Sequence, residues 1–523
     1  MNRFFFALAR ITFFGWWMLV GCNGNSEAAP VADLSQRPTQ TAAAHSEQAA
    51  DSSGREWWEV YRMQGKRIGY GRTTVRDARE ADRPIVRVES LNHMAANRAG
   101  QTATQDIQTT SVETPDGQLL RFETEVRMGQ KPIRTTGQVR GERLDMETRA
   151  DANVATRESI AWPAGSGGPL AMEQSLGRKP MQPGQRRTVG TLMIGLNQRG
   201  DVEMNAKGWE PTDLPGGKRT LLRIDTVTRL ADGQTIEGTI WTDRDGETLK
   251  TTCPMMGLEV YRATKAEALA GSDTADLDLL PSMLVPLDRP LKDAHHTRRV
   301  RYLVQLDNGD PARSLAVGPS QAVRSIDAHT AEVTVYSVRP GRRFEGNDAA
   351  ADDRPTDDDL TPNNYIESDD PQIVADAKAV AGDRRDPWTV AVALERFVHD
   401  SIRRKDFSQA FATAAEVARS HEGDCTEHAV LLAALCRACG IPARVAFGLV
   451  YMEGGQAFGY HMWTEVYIDR RWIPIDGTLA LGGIGAAHLK IAHTNLKGAS
   501  AYSAMLPVVK MLGHLKIRVT DVP

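Results

Sequence analysis

A buried helix that opens on a cysteine is the feature that most constrains the fold of this chain. Residues 429–436 form an unbroken apolar run, and Gly440 and Pro442 follow it where a helix should stop. Because this helix is apolar on nearly all sides, other parts of the chain have to cover it. The segment Gly423-Asp424-Cys425 places a thiol in its first turn.

The position of Cys425 suits a nucleophile. Backbone N–H groups and the positive end of the helix dipole meet at the start of a helix, and both favour an anion. A thiol at this position therefore ionises more readily than a free thiol, whose pKa is about 8.5. We interpret Cys253, Cys436 and Cys439 as small buried hydrophobic residues, which is the commoner role of a free cysteine.

A predicted hairpin downstream brings a histidine and an acid to one face. Residues 460–468 alternate as a strand, and residues 471–476 return. If Asp469-Arg470 forms a two-residue connection, Asp476 lies diagonal to His461, with about 7–8 Å between Cα atoms. An imidazole and a carboxylate can meet across that diagonal.

These residues predict a nucleophile, a base and an orienting acid. We expect His461 to take the proton of Cys425, and Asp476 to orient and stabilise the resulting imidazolium. The backbone N–H of Cys425 would donate to the oxyanion of an acyl intermediate. Gln409, upstream of the helix, is a candidate for the second donor.

A metal site built from Cys425-x-x-His428 and Cys436-x-x-Cys439 is excluded by spacing. On one continuous helix His428 and Cys436 lie about 12 Å apart along the axis. Ligands of zinc have to converge within roughly 2.0–2.3 Å of one ion. We therefore predict no metal and no cofactor, and a redox pair of Cys436 and Cys439 fits poorly because both would be buried.

Four sequence blocks carry a resemblance to a known family. They are Gly423-Asp424-Cys425, Gly440-Ile441-Pro442-Ala443-Arg444, Tyr460-His461-Met462-Trp463-Thr464-Glu465-Val466 and Trp472-Ile473-Pro474-Ile475-Asp476. Their order is similar to that of the transglutaminase-like superfamily, with 36 residues from cysteine to histidine and 15 from histidine to aspartate. The resemblance covers about residues 370–480 and implies a papain-like α+β fold.

The resemblance also implies acyl chemistry through a thioester, with Cys425, His461 and Asp476 as the catalytic triad. Trp463 matches an aromatic residue beside the histidine and is a candidate substrate-binding residue. The thioester could pass to an amine, as in cross-linking, or to water, as in proteolysis or deamidation. We expect hydrolysis of a peptide or glutamine-type amide. The alternative is a non-catalytic envelope protein that binds a partner through its N-terminal domain.

The rest of the body is predicted to be rich in antiparallel strands. Turn signals such as Thr114-Pro115-Asp116-Gly117 and Asp245-Gly246 separate alternating runs, which predicts long hairpins and a curved sheet. The predicted parts are a β-rich antiparallel domain at 55–278, a small β-sandwich-like segment at 294–344, an acidic linker at 345–368 and the transglutaminase-like catalytic domain at 369–523. The fold class is therefore α+β.

The N-terminus predicts export and lipidation. Arg3 and Arg10 flank the start of an apolar run too short to span a bilayer, and the run ends in Leu19-Val20-Gly21-Cys22. This segment resembles the lipobox of bacterial lipoproteins, so residues 1–21 are predicted to be a signal peptide and Cys22 the lipidation site. Residues 22–54 are predicted to be a disordered tether.

The expected location is the cell envelope, lipid-anchored through Cys22. Asn23 stands where an aspartate would retain such a lipoprotein in the inner membrane, which favours the outer membrane or the periplasmic face. The formal net charge of −4, with both signs scattered along the chain, excludes a nucleic-acid footprint. The expected partners are a peptide or protein substrate and the membrane, and no disulfide to Cys425 is predicted.

Overall fold

The computed structural model describes residues 54–98, 100–129, 131–150, 155–271, 277, 284–339, 346, 353–405, 411–498 and 504–522. The predicted signal peptide, Cys22, the tether up to residue 53 and Gln409 lie outside these ranges. Within them, no helix has the length and apolar character needed to cross a bilayer.

One large antiparallel sheet makes up the N-terminal part of the described chain. Its strands are β1 (Arg55–Met63), β2 (Lys66–Glu80), β3 (Arg83–Arg98), β4 (Gln101–Glu113), β5 (Leu119–Arg127), β6 (Ile133–Arg140), β7 (Arg143–Arg149), β8 (Ala155–Ala161), β9 (Arg186–Met193), β10 (Gln198–Leu214), β11 (Gly217–Leu230), β12 (Thr235–Thr242), β13 (Thr248–Cys253) and β14 (Leu258–Ala263). They are ordered β8 to β1 and then β14 to β9 across the sheet. Nearly every strand thus pairs with its chain neighbour, and the predicted hairpins are confirmed.

The large sheet curls over on itself. Gly167 forms bridges to Gln118, just before β5, and to Thr191 in β9. These strands are ten positions apart in the sheet, which would separate them by about 48 Å if the sheet were flat. The outer face of β3 to β8 holds a cavity of about 1010 Å³, lined by charged side chains that include Arg121, Glu123 and Glu147.

The C-terminal part combines helices with two smaller sheets. Two α-helices of the described residues accompany the large sheet, α1 (Ala171–Arg178) and α2 (Lys265–Leu269). Those of the C-terminal part are α3 (Pro311–Ser314), α4 (Pro371–Ala381), α5 (Pro387–Ser401), α6 (Ala414–Ser420), α7 (Cys425–Ala438) and α8 (Leu506–Met511). The remaining strands are β15 (Leu284–Pro286), β16 (Arg299–Leu306), β17 (Gln321–Asp327), β18 (Thr330–Tyr336), β19 (Ala443–Met452), β20 (Ala457–Ile468), β21 (Arg471–Ile475), β22 (His488–Thr494) and β23 (Leu515–Asp521). The α+β fold class is confirmed.

The two smaller sheets contact each other, and the one that contains β20 packs against α7. One is ordered β15-β20-β19-β22 with β21 also paired to β20, and the other is ordered β17-β18-β16-β23. Tyr302 of β16 contacts Phe458 of β20, with ring centroids 5.5 Å apart. Thr464 of β20 donates its hydroxyl proton to the carbonyl of Ala429 in α7 at 2.9 Å. This contact sets the central helix against the strand that carries His461.

Short capping motifs begin α4, α5 and α6. Asp370 and Asp386 cap α4 and α5 through side-chain hydrogen bonds, and each helix has a proline at its first position. Thr413 and Glu416 form a capping box at the start of α6. Local chemistry is therefore sufficient to place these helices.

Two predictions about the middle of the chain are wrong. The segment 294–344 is not a separate sandwich, because its strands β16 to β18 form a single sheet with the distant strand β23. The acidic linker 345–368 is not solvated throughout, because residues 363–368 are buried. Several of their polar groups are hydrogen-bonded: the carboxylate of Glu367, for example, accepts the backbone N–H of Ala415 at 2.9 Å.

Candidate active site

Cys425 is the first residue of α7, as the sequence predicts. The side chain of Asp424 accepts the backbone N–H of Thr426 at 2.9 Å, and the carboxylate of Glu427 accepts the N–H of Asp424 at 2.9 Å. This capping box begins the helix at Cys425, whose side chain is fully buried. The thiol thus lies at the positive end of the helix dipole.

Gly423 is required by the close packing of this helix start. Its φ is +150°, in a region that residues with a side chain rarely adopt. A Cβ at this position would lie 2.3 Å from the Cβ of Glu427, which is far inside van der Waals contact. Only glycine therefore lets the chain enter α7 along this path.

The hairpin that carries the histidine and the acid has the predicted register. Asp469 and Arg470, with φ of 51° and 63°, form the two-residue connection between β20 and β21. Thr464 pairs with Ile475, so that Asp476 directly follows the last paired residue of β21. Positive φ at both positions is the type I′ geometry that matches the twist of a hairpin.

The structure brings Cys425, His461 and Asp476 together. Nε2 of His461 lies 2.8 Å from Oδ2 of Asp476, and the same imidazole is hydrogen-bonded to the thiol of Cys425. Since Nε2 faces the carboxylate, we infer that Nδ1 is the ring nitrogen turned towards the sulfur. All three side chains are buried, with at most 1% of each residue exposed.

The charges of this cluster favour a protonated imidazole. Burial alone would lower the pKa of His461, but the neighbouring Asp476 carboxylate and Cys425 sulfur outweigh it and raise the pKa to about 10. Burial would raise the pKa of Asp476, yet the positive His461 and hydrogen bonds from two histidines hold that pKa well below its usual value. An imidazolium beside Cys425 stabilises the thiolate form of that residue.

His488 is a fourth member of the cluster that sequence reasoning missed. It is buried, and its Nε2 lies 3.0 Å from Oδ2 of Asp476. Burial lowers the pKa of His488 against the opposing effect of Asp476, which favours a neutral ring that donates Nε2–H. No local signal marks it, because β22 reaches the site only through its pairing with β19.

Trp463 supports the two histidine rings. It is stacked on His461 with centroids 6.2 Å apart, and it meets His488 edge to face at 5.4 Å. Gly448 on the neighbouring strand leaves room for the indole, since a Cβ there would lie 2.7 Å from Cη2 of Trp463. Trp463 is 1% exposed, so its predicted contact with substrate stays a prediction.

The cluster works as a hydrogen-bond network rather than as a set of metal ligands. Ligand atoms of His461, Asp476 and His488 lie within 4.8 Å of one another. However, both Nε2 atoms approach one carboxylate oxygen at hydrogen-bond distance, so a protonated nitrogen on each side has no lone pair for an ion. The other candidate ligand, His428, has its Nδ1 on the carbonyl of Asp424 at 2.6 Å.

A comparison with protein families decides the nature of this region. Residues 375–477 match the family model of the transglutaminase-like superfamily. These residues form a transglutaminase-like domain. The match includes Cys425, His461 and Asp476, and it leaves out His488, which the structure adds to the cluster.

Several solved structures match this chain with low scores. A proposed cysteine protease from Cytophaga hutchinsonii is 17% identical, with 44% of this chain and 85% of that chain covered and a TM-score of 0.28. A β-barrel-like protein from Brucella abortus is 10% identical, and the match covers 40% of this chain and 95% of that protein with a TM-score of 0.30. A proposed protease from Parabacteroides distasonis is 10% identical, and the match covers 56% of this chain and 66% of that protein with a TM-score of 0.17. Among curated proteins, none matches the chain. The family match, and not these low scores, assigns the transglutaminase-like domain.

Proposed function

We propose that this chain is a cysteine enzyme that hydrolyses peptide or glutamine-type amide bonds through a thioester on Cys425. One observation carries the proposal: a cysteine at the start of α7 is hydrogen-bonded to an imidazole that Asp476 holds from the other side. Nucleophile, base and orienting acid are the minimum set for acyl transfer by a cysteine. The transglutaminase-like domain supports a papain-like enzyme of this kind.

The reaction follows from the positions of these groups. The Cys425 thiolate attacks the carbonyl carbon of the amide, and the electron pair moves to the carbonyl oxygen. The N–H of Cys425, at the positive end of α7, stabilises that oxyanion. When the C–N bond breaks, the His461 imidazolium gives its proton to the leaving nitrogen, which leaves a thioester.

Deacylation returns the enzyme to its starting state. Neutral His461 takes a proton from a water molecule, and the resulting hydroxide attacks the thioester carbon. The C–S bond breaks, a carboxylic acid forms and the thiolate–imidazolium pair is restored. An amine in place of water would give cross-linking by the same steps.

Incubation with a glutamine peptide and a labelled amine tests the reaction and its acceptor. Ammonia release without amine incorporation means deamidation, and new N-termini on a protein such as casein mean proteolysis. Cys425→Ala should abolish each activity, whereas Cys439→Ala, at the far end of α7, should retain it. If wild type and Cys425→Ala behave alike on both substrates, the enzymatic proposal fails and a binding role for the large sheet, with its charged cavity, becomes the better explanation.

We also propose that the enzyme is anchored in the cell envelope through a lipid on Cys22. Support comes from the lipobox-like segment that ends at this residue. Mass spectrometry of the N-terminal peptide from a bacterial host should find an acylated Cys22 as the new N-terminus. Cys22→Ala should release the protein from the membrane fraction; unchanged membrane association of this variant would contradict the anchor.

A further inference from the structure

Glu395 is a buried acid that contacts the loop beside the triad. It lies on α5, is 1% exposed and points its carboxylate at three backbone N–H groups. Oε1 accepts from Asp476 at 2.9 Å and from Gly483 at 3.3 Å, and Oε2 accepts from Gly482 at 2.9 Å. One side chain thus binds both ends of the segment 476–483.

This segment connects the two halves of the site. It starts at Asp476, which orients His461, and it leads into β22, whose first residue is His488. A second contact comes from the next turn of the same helix, where Nδ1 of His399 lies 3.0 Å from the carbonyl of Thr478. α5 therefore holds the loop at its beginning, middle and end.

We propose that Glu395 is a positioning residue: while the carboxylate of Glu395 is ionised, it keeps Asp476 aligned with His461. The geometry favours the ionised form, because each N–H needs an acceptor and a carboxylate offers acceptors only. A protonated carboxyl group accepts hydrogen bonds more weakly, because its acceptor oxygens no longer carry the charge. The loop would then be held less firmly next to Asp476. This inference rests on the proposed function of the triad.

The surroundings of Glu395 place its ionisation near neutral pH. Burial raises the pKa of Glu395, the three N–H groups oppose this effect, the charge of Asp476 adds to it, and the result is about 7. Besides Asp476, Cys436 on α7 interacts electrostatically with Glu395, and His399 lies one turn further along α5 against the same loop. The carboxylate form, and with it the aligned Asp476, prevails above about pH 7.

Alkylation of Cys425 by iodoacetamide across pH tests the inference. In the wild type we expect the rate to fall as pH drops below about 7, and to lie above that of an ordinary thiol at pH 7 to 8. In Glu395→Gln the amide NH₂ replaces one acceptor oxygen, Asp476 loses its alignment and the midpoint moves towards the ordinary thiol value near 8.5. Amide hydrolysis should lose on the order of 10²-fold in kcat at pH 8, with little change in KM.

The pH midpoint of the alkylation rate distinguishes a change in the alignment of the triad from a change in access to the buried site or in the stability of the protein. Slower opening of the buried site lowers the rate at every pH, whereas a change in the triad moves the midpoint. Asp400→Asn on the exposed face of the same helix is the matched control and should keep the wild-type midpoint. Glu395→Asp, which keeps the charge, should have a midpoint between those of the wild type and Glu395→Gln.

Each outcome bears on one proposal. If wild-type Cys425 reacts as an ordinary thiol, the proposed function fails. If wild-type Cys425 is activated and Glu395→Gln keeps its midpoint, the positioning role of Glu395 is overturned. Should Glu395→Gln not fold, NMR of the wild type with ¹⁵N-histidine decides: the ring signals of His461 and His488 should shift together with a midpoint near pH 7, and signals that stay constant between pH 6 and 8 overturn the inference.

Discussion

At the residue scale, one carboxylate organises the candidate site. Oδ2 of Asp476 accepts from His461 and from His488, and its backbone N–H is bound by Glu395. Fixing both the side chain and the main chain of the acid restricts the imidazole to one orientation, which a general base requires. Asp476 is therefore held through both its side chain and its backbone.

The raised pKa of His461 predicts how stability depends on pH. A histidine whose pKa rises from 6.5 to about 10 on folding contributes stability that is fully present below pH 6.5 and is lost as pH rises through 10. The free energy of unfolding of the wild type should therefore fall between pH 7 and 10.5. Urea denaturation should show a smaller fall for His461→Gln; equal falls in both proteins would contradict the raised pKa.

His488 should stabilise the ionised form of Asp476 without itself forming or breaking a bond to substrate. His488→Ala removes a donor from Asp476, and a hydrogen bond to a charged group is worth about 1.5–3 kcal/mol. We expect kcat to fall on the order of tenfold or more and the pKa of Asp476 to rise. His488→Gln keeps an N–H donor and should recover part of the activity in the same assay, whereas a His488→Ala enzyme with wild-type kcat would rule out this role.

At the element scale, the candidate catalytic groups come from elements whose formation is local. The capping box of α7, the two-residue turn after β20 and the proline starts of α4 and α5 are all visible in short stretches of sequence. That is why Cys425, His461 and Asp476 could be predicted together. Glu395 could not, because it reaches Asp476 from 81 positions away in the chain. His488 lies 12 positions from Asp476, but it could not be predicted either, because β22 is placed by its pairing with β19.

The start of α7 should tolerate no side chain at residue 423. Gly423→Ala puts a methyl group against Glu427 in a strained backbone region, at an expected cost of about 1–3 kcal/mol and with displacement of Cys425. Thermal unfolding and kcat should both decline. Gly208→Ala is the control, because that position has open space around it, and its effect should stay within about 0.5 kcal/mol.

At the scale of the whole molecule, the large sheet and the transglutaminase-like domain are joined by buried polar contacts. Nδ2 of Asn364 donates to the carbonyl of Thr148 in β7 at 3.1 Å, and the backbone N–H of Lys131 donates to Glu416 of α6 at 2.7 Å. The residues 363–368 that sequence reasoning assigned to a solvated linker form part of this junction. Their burial was not predictable, since it depends on partners that lie 48 to 216 positions away in the chain.

Removal of one junction contact should reduce stability and leave the chemistry unchanged. Asn364→Ala leaves the carbonyl of Thr148 without this buried donor, at an expected cost of about 1–3 kcal/mol in the free energy of unfolding. The exposed Gln372→Ala on α4 is the control and should have no measurable effect. Denaturant titration gives the stability, and a large drop in kcat at 25 °C for Asn364→Ala would show that the junction also shapes the site.

The pairing of β23 with β16 has a consequence for synthesis of the protein. Leu306 of β16 lies opposite Leu515 of β23. One edge of β16 therefore stays unpaired until more than 200 further residues have left the ribosome. Every strand pairing of the large N-terminal sheet lies within residues 55–263, so those strands can pair while translation continues. The nascent chain would thus carry a paired N-terminal sheet ahead of a four-stranded sheet that still lacks β23.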